Sequence, residues 1–329
     1  MLKNKSQLKS TKEKLTRLDI NDELRKKILP YCRLKRGDIW IDPKGKHKVG
    51  VLDATSISDT KKLFGKEKAK LVINDPPYNV VVGNVNTQNL SKISIIDYIE
   101  FSRKWIFNVL SVLDKDSSLY IWLGADQNDG FQPLPEFMIM MREFEELKSR
   151  SFITMRNQRG YGTQKNWMSV RQELLYYTKG NPHFKVIYTD IPKILGGYYK
   201  KVNGKVVDNF ERSKSGFIRP GNVWVDIQQV FYRMEENVPG AYAQKPLKSI
   251  SRIIQASSKK IILLRIFSVT AELLFLHLKF LIENVMRWKL ILCSLNFPFD
   301  DSNITAKQRK QDGSGIIRSR KSKFKSKKF

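Results

Sequence analysis

Along residues 38–178 the apolar positions alternate between two periods. Short β-favouring runs stand at residues 38–41, 49–52, 71–73, 119–123 and 173–178. Between them, apolar residues recur at helical spacing. Ile95, Ile96, Ile99, Ile106, Val109, Leu110 and Leu113 form one such series; Phe137, Met140, Met141 and Phe144, within 135–147, form another. Short runs ended by turn residues read as buried strands, and an i, i+3, i+4 pattern reads as an amphipathic helix. Strands alternating with helices predict an α/β fold with a doubly wound, mostly parallel sheet. The alternation lapses after residue 181, where Pro, Gly, Tyr and Lys rise. There Lys200-Lys201-Val202-Asn203-Gly204-Lys205 predicts a hairpin turn with basic shoulders. It returns as a helix carrying Leu247, Ile250, Ile253 and Ile254 and ending at Ser257-Ser258. The chain therefore divides into a basic arm at 1–36, a strand-and-helix half at 37–181 and an irregular region at 182–236. A short helical return at 237–260 and a divergent basic tail at 261–329 complete it. Within the arm, Leu24, Ile28 and Leu29 follow Asn21-Asp22 at helical spacing, which predicts one short capped helix.

One strand end carries more chemistry than the others. Leu71-Val72-Ile73 runs into Asn74-Asp75-Pro76-Pro77-Tyr78-Asn79. Proline ends the strand and breaks it into a loop, and in open α/β sheets ligands sit beyond the carboxyl ends of the strands. Two consecutive prolines make a stiff turn that aims its carbonyls outward. Asp75 supplies a carboxylate, Pro76 a fixed carbonyl and Tyr78 a flat face, the parts needed to hold an amino group on an aromatic base. An ordinary strand-to-helix turn, with Tyr78 capping a core, uses the same residues.

Charge narrows the partner. Lys and Arg number 60 against 32 Asp and Glu, a net charge of +28 over 329 residues. That points to a polyanion, most simply nucleic acid. Residues 261–329 hold 14 Lys/Arg against 5 Asp/Glu, so the rest stays strongly basic without them. Two cysteines, Cys32 and Cys293, and three histidines predict a reducing compartment, no disulfide framework and no metal site. Residues 1–36 carry twelve Lys/Arg and no continuous apolar core, so no signal peptide is expected. Arg265, Glu272, Lys279, Glu283, Arg287 and Lys289 interrupt the apolar stretch at 261–299, which excludes a membrane span there.

Asp75-Pro76-Pro77-Tyr78 resembles motif IV of the DNA amino-methyltransferases, which use S-adenosylmethionine to methylate N6 of adenine or N4 of cytosine. Gln244-Lys245-Pro246-Leu247, ahead of a helix, is similar to motif X of the same family. The resemblance covers residues 36–260 and follows the β-class order: motif IV, recognition region, motif X. It implies a Rossmann-like methyltransferase fold and a bacterial cytoplasmic, nucleoid-associated enzyme of a restriction–modification system. Its partners would be double-stranded DNA and a cognate restriction endonuclease acting on the same site. It implies that the target base is flipped out and stacks on Tyr78, with its amino group donating to Asp75 and to the Pro76 carbonyl while Pro77 stiffens the turn. Asp at the first motif position leans towards adenine. The cofactor would meet Asp75, Gln244, Lys245 and Pro246, with Lys245 pairing its carboxylate. Asp53, at a strand end, would meet it too or else cap the helix at 56–64.

The segment from Arg156 to Trp167 mixes Arg159 and Lys165 with amides, aromatics and glycines, and it resembles the stretch after the catalytic half in adenine-specific members. Such a mixture suits phosphate contact, base hydrogen bonding and stacking; a plain polar loop is the alternative. The region at 182–236 stands where the family places target recognition, with Lys200 and Lys201 as DNA contacts. Other readings are a cytosine-N4 enzyme and an inactive DNA-binding relic. RNA and glutamine methyltransferases place a glycine loop ahead of the Pro-Pro-Tyr motif, whereas Gly37, Gly45, Gly50 and Gly65 are isolated.

The chain departs from the family after motif X. There the family has a strand ending Asp-Pro-Phe-x-Gly-x-Gly-Thr, whereas no glycine lies between Gly240 and Gly313. One choice of synonymous codons for residues 270–274, read one base out of phase, encodes Ser-Gly-Thr-Thr. A single-base frameshift near residues 263–267 would account for the loss and make the following residues non-native. The expected consequences are weak cofactor binding and impaired methylation.

Overall fold

The computed structural model describes residues 37–41, 48–76, 94–124, 133–161, 167–193, 199–208, 215–230, 245–259, 263–268 and 289–294. Within these, no side chain is described for residues 157–161, 169, 199, 200, 202, 206–208, 263–268 and 289–294. The helix and basic contacts expected in residues 1–36 lie outside them.

The described chain runs β1 (Ile39–Ile41), β2 (Lys48–Gly50), α1 (Ile57–Phe64), β3 (Ala69–Asp75), α2 (Ile95–Val112) and β4 (Leu113–Leu123). It continues with α3 (Pro133–Met140), β5 (Lys148–Tyr161), β6 (Ser169–Lys179), β7 (Tyr199–Val202) and β8 (Lys205–Asp208). Last come β9 (Val223–Trp224), α4 (Leu247–Ser257), β10 (Leu263–Ser268) and β11 (Lys289–Ser294). Nine of these strands form one sheet in the order β1-β2-β11-β10-β3-β4-β6-β5-β9. The ladders from β2 to β4 are all parallel. β1 and β6 run against their neighbours. The doubly wound, mostly parallel sheet expected from the alternation is present.

Two cores sandwich this sheet. On one face α1, α2 and α3 bring Leu63, Phe64, Trp105, Ile106, Val109 and Phe137 onto Val72, Ile121 and Leu175. On the other, Ile250, Ile253 and Ile254 of α4 cover Leu71, Ile73, Tyr120, Trp122 and Leu174. The alternation of side chains along each strand supplies both faces at once.

Local chemistry sets the helix ends. Ser56 caps α1 by accepting from Asp59 N at 3.2 Å. Ser94 does the same for α2 with Asp97 N at 3.1 Å, the usual service of a serine oxygen to an orphan N–H. Asp53 is thus not the helix cap: its carboxylate accepts from Thr55 N and Oγ1 at 2.9 and 2.7 Å. The hairpin foreseen around Lys200 is β7–β8, whose two-residue turn has φ of 52° at Asn203 and 76° at Gly204, the conformation an Asn-Gly pair favours.

Four readings change. Ile96 is 77% exposed, and Tyr98, Ser102 and Trp105 complete the buried stripe of α2 in its place. The helix expected across 135–147 stops at Met140 and tightens into one 3-10 turn at Met141–Glu143. The plain polar loop, the alternative reading from Asn157 onward, is strand as far as Tyr161, with a break in register between Arg156 and Tyr161. Residues 261–329, expected to form a divergent tail, supply β10 and β11 to the middle of the sheet.

Candidate active site

Strand order turns at β10 and β3. From β3 the winding proceeds outward to β4, and from β10 it proceeds the opposite way to β11. Such a switch point opens a crevice beyond the carboxyl ends of its two strands. Ser268, the last residue of β10, is paired with Asp75, the last of β3. The sequence therefore places its most chemically distinctive strand end in the crevice this topology creates.

Asp75 follows Leu71 and Ile73 on the α4 face by strand alternation. Its side chain is 16% exposed, and Oδ1 lies 3.1 Å from Lys245 Nζ, whose side chain is 4% exposed. The ammonium also sits 5.5 Å from the centroid of the Trp122 ring, within reach of a cation–π attraction. Lys245, for which the resemblance implies a cofactor contact, meets the Asp75 carboxylate in this structure. Pro246 is buried and caps α4, its carbonyl accepting from Ser249 N and Oγ at 3.0 and 2.6 Å. Pro76 is buried directly after β3. Pro77, Tyr78 and Gln244 lie outside the described residues.

Two further side chains stand near Asp75, and no local sequence pattern marks either. Asn74 is 1% exposed, and neither atom of its amide has a hydrogen-bond partner among the described residues. Tyr98 of α2 is fully buried; burial first, and then the Asp75 charge, pushes its phenol far above the ordinary value. Asp53 lies beyond the carboxyl end of β2, on the same sheet edge but three strand spacings from β3, roughly 14 Å.

Of the expected DNA contacts, Arg156 falls towards the same edge. Arg156 is exposed on β5 and stands opposite Arg171 of β6. Arg171 was not among the expected contacts, because only folding brings it beside Arg156. Its side chain is 49% exposed and 3.8 Å from the buried Glu173, which accepts from Thr154 Oγ1 at 3.0 Å. Arg159 continues β5 without a described side chain, and Lys165 lies outside the described residues. Lys201 is exposed on β7, and Lys200 contributes its backbone to the same strand. Among the described residues no cluster of His, Cys, Asp and Glu could hold a metal ion, and no helix is long and apolar enough to cross a membrane.

A second polar assembly anchors α4. Arg252 Nη1 donates to Asp226 Oδ1 at 3.0 Å in a two-pronged pair, and its guanidinium lies 4.8 Å from the Trp224 ring centroid. Lys248 reaches the same carboxylate at 3.2 Å. At the far end of the helix Ser257 Oγ is 2.7 Å from the Tyr120 hydroxyl.

Residues 69–263 match the model of a family described as DNA methylase. The Type II methyltransferase M.HpaI of Haemophilus parainfluenzae is 26% identical over 190 residues, covering 58% of this chain and 54% of that protein. The Type II methyltransferase M1.MboII of Moraxella bovis is 28% identical over 205 residues, covering 58% and 73%. The matched region thus spans about half the length of the first of these relatives. Among solved structures, the PvuII DNA methyltransferase (cytosine-N4-specific) shares the fold, with a TM-score of 0.52 at 12% identity over 80% of this chain and 89% of that one.

Proposed function

The chain belongs to the DNA methylase family, and from that premise we propose that it transfers a methyl group from S-adenosylmethionine to N6 of adenine in double-stranded DNA. The observation that carries this reading is the position of Asp75 and Pro76 at the sheet's switch point, beside the end of β10. The target nucleotide leaves the duplex, as it must for any enzyme that works on a stacked base. Its amino group donates to the Asp75 carboxylate and the Pro76 carbonyl, and Tyr78 supplies the stacking face. Two acceptors on one amino group draw its nitrogen towards tetrahedral geometry and free its lone pair. Groups fixed in advance stabilise charge that develops only in the transition state. Aspartate at the first motif position favours adenine over cytosine.

The corner suits a polar ligand. Asn74, next to Asp75 in β3, holds a buried amide with no partner among the described residues, and such groups are uncommon unless something bonds them. Asp53, Gln244 and Pro246 are the other residues that would hold the cofactor. S-adenosylmethionine supplies, when bound, the methyl group on a positively charged sulfur. The basic residues Arg156, Arg159, Lys165, Lys200 and Lys201 would hold the duplex, and a restriction endonuclease would share its site. The frameshift near residues 263–267 rests on codon choice alone, and resequencing the gene decides it.

The test is methyl transfer itself. Full-length protein is incubated with radiolabelled S-adenosylmethionine at millimolar concentration and unmethylated genomic DNA, and the product is digested to nucleosides. Label in N6-methyladenine is the expected result. Label in N4-methylcytosine would redirect the reading to cytosine. No label, even from a frame-restored version, would leave a DNA-binding relic.

A further inference from the structure

Lys245 is fixed from several directions. It stands just before the Pro246 cap of α4, and that helix is bolted down by the Arg252–Asp226 pair and by the Ser257–Tyr120 contact. Its ammonium is enclosed, with 4% of the side chain exposed, over the Trp122 ring and 3.1 Å from Asp75 Oδ1. A lysine so buried cannot leave its partner cheaply, because a lone charge in a dry site is costly on either side of the pair.

We propose that Lys245 is the positioning residue of Asp75, acting on the acceptor side of the reaction rather than on the cofactor. The proposal rests on the role given above to Asp75. An ammonium N–H donating to one carboxylate oxygen restricts the torsion of the whole group. The target amino group then meets a carboxylate already turned to receive it, which is the sense in which preorganised acceptors outperform mobile ones. The ammonium is also chemically akin to the group Asp75 is meant to bind. It is an N–H donor of similar reach, so Lys245 keeps the carboxylate in its donor-bound orientation before DNA arrives. The step is one of binding and exchange of hydrogen bonds, and no covalent bond forms at Lys245.

A cofactor-side role and an acceptor-side role separate kinetically. Lys245→Met keeps the stem and removes the charge; Lys245→Arg keeps the charge but alters its shape. Methyl incorporation into unmethylated genomic DNA is measured across a range of cofactor concentrations with the full chain. Lys245→Met is expected to lower kcat roughly a hundredfold while the apparent cofactor KM stays within about twofold. Lys245→Arg should lose less, again in kcat. If Lys245→Met fails to fold, the same split is read in Lys245→Arg. Thermal unfolding of Asp75→Asn, Lys245→Met and the double variant gives a second readout. Each single change should lower Tm, and Lys245→Met should add little in the Asp75→Asn background, as expected of coupled residues. A Lys245→Met deficit that vanishes as the cofactor is raised would overturn the proposal, as would strictly additive Tm shifts. A chain that methylates nothing even with its reading frame restored would remove the role of Asp75 itself, and this role of Lys245 with it.

Discussion

Arg156 of β5 and Arg171 of β6 are cross-strand partners, two cations directly opposed, with the buried Glu173 beside Arg171. Like charges in that register destabilise a ladder, and a DNA phosphate between them would relieve that opposition. Each Arg→Ala change should therefore weaken binding to a random-sequence duplex and reduce the slope of log K against log salt by about 0.9. Fluorescence anisotropy over a salt series measures this, and an unaltered slope in both variants would show that the pair only solvates the strand ends.

Gly180 closes β6 at a φ of +61°, and a Cβ there would lie 2.2 Å from the Lys115 carbonyl oxygen. The tightness has a cause: Asp116 Oδ1 accepts from Asn181 N at 2.8 Å, clamping the turn after β6 onto the start of β4. Gly180→Ala must strain the backbone and push the two segments apart. Its cost should be at least the roughly 1–3 kcal/mol of a residue forced into a sparsely allowed conformation, read as a lowered Tm.

The Arg252–Asp226 pair makes a prediction about acid. Burial alone would raise the Asp226 carboxyl, but its bonds and charges from Arg252 and Lys248 outweigh that and hold it below the ordinary value. A depressed folded value means the contribution is fully present above the unfolded carboxylate range, near about 3.9, and is lost as pH falls through the lower folded value. Asp226→Asn should flatten the acid limb of the stability profile. With side chains 7% and 8% exposed, Arg252→Met should destabilise at neutral pH, but by less than the roughly 3–5 kcal/mol of a fully stranded buried charge, since Lys248 still reaches the Asp226 carboxylate at 3.2 Å. Denaturant unfolding at several pH values checks both.

What could be read in advance followed from local chemistry. The Asp75-Pro76 strand end, the α4 stripe of Ile250, Ile253 and Ile254, and the Asn203-Gly204 turn each depend on neighbours within a few residues, so their patterns survive in the sequence. The Lys245–Asp75 pair joins residues 170 positions apart, and no spacing rule spans that distance. Arg171 and Asn74 escaped for the same reason, since their significance comes from strand partners and burial. Misplaced helix ends, as at Met140, reflect packing overriding periodicity: Met140 and Met141 are both buried, yet the chain must turn there to start β5. Asp53 misled because an aspartate ahead of a helix has two local uses, and the side chain took the turn with Thr55 while Ser56 took the cap.

The last prediction concerns the end of β10. Its carboxyl end lies beside Asp75, where the switch point places a ligand, and close approach of backbone to a nucleotide ordinarily requires glycine. The residues that follow in sequence are Val269, Thr270, Ala271 and Glu272, each carrying a Cβ. A cofactor lying over β10 would find no glycine in this run to permit the closest backbone approach. Calorimetry with S-adenosylmethionine should accordingly give an affinity weaker than micromolar. A version whose reading frame restores Ser-Gly-Thr-Thr at this place should bind at least tenfold more tightly, about 1.4 kcal/mol. Micromolar binding by the chain as it stands would mean that another segment cradles the cofactor and that glycine at this position is dispensable.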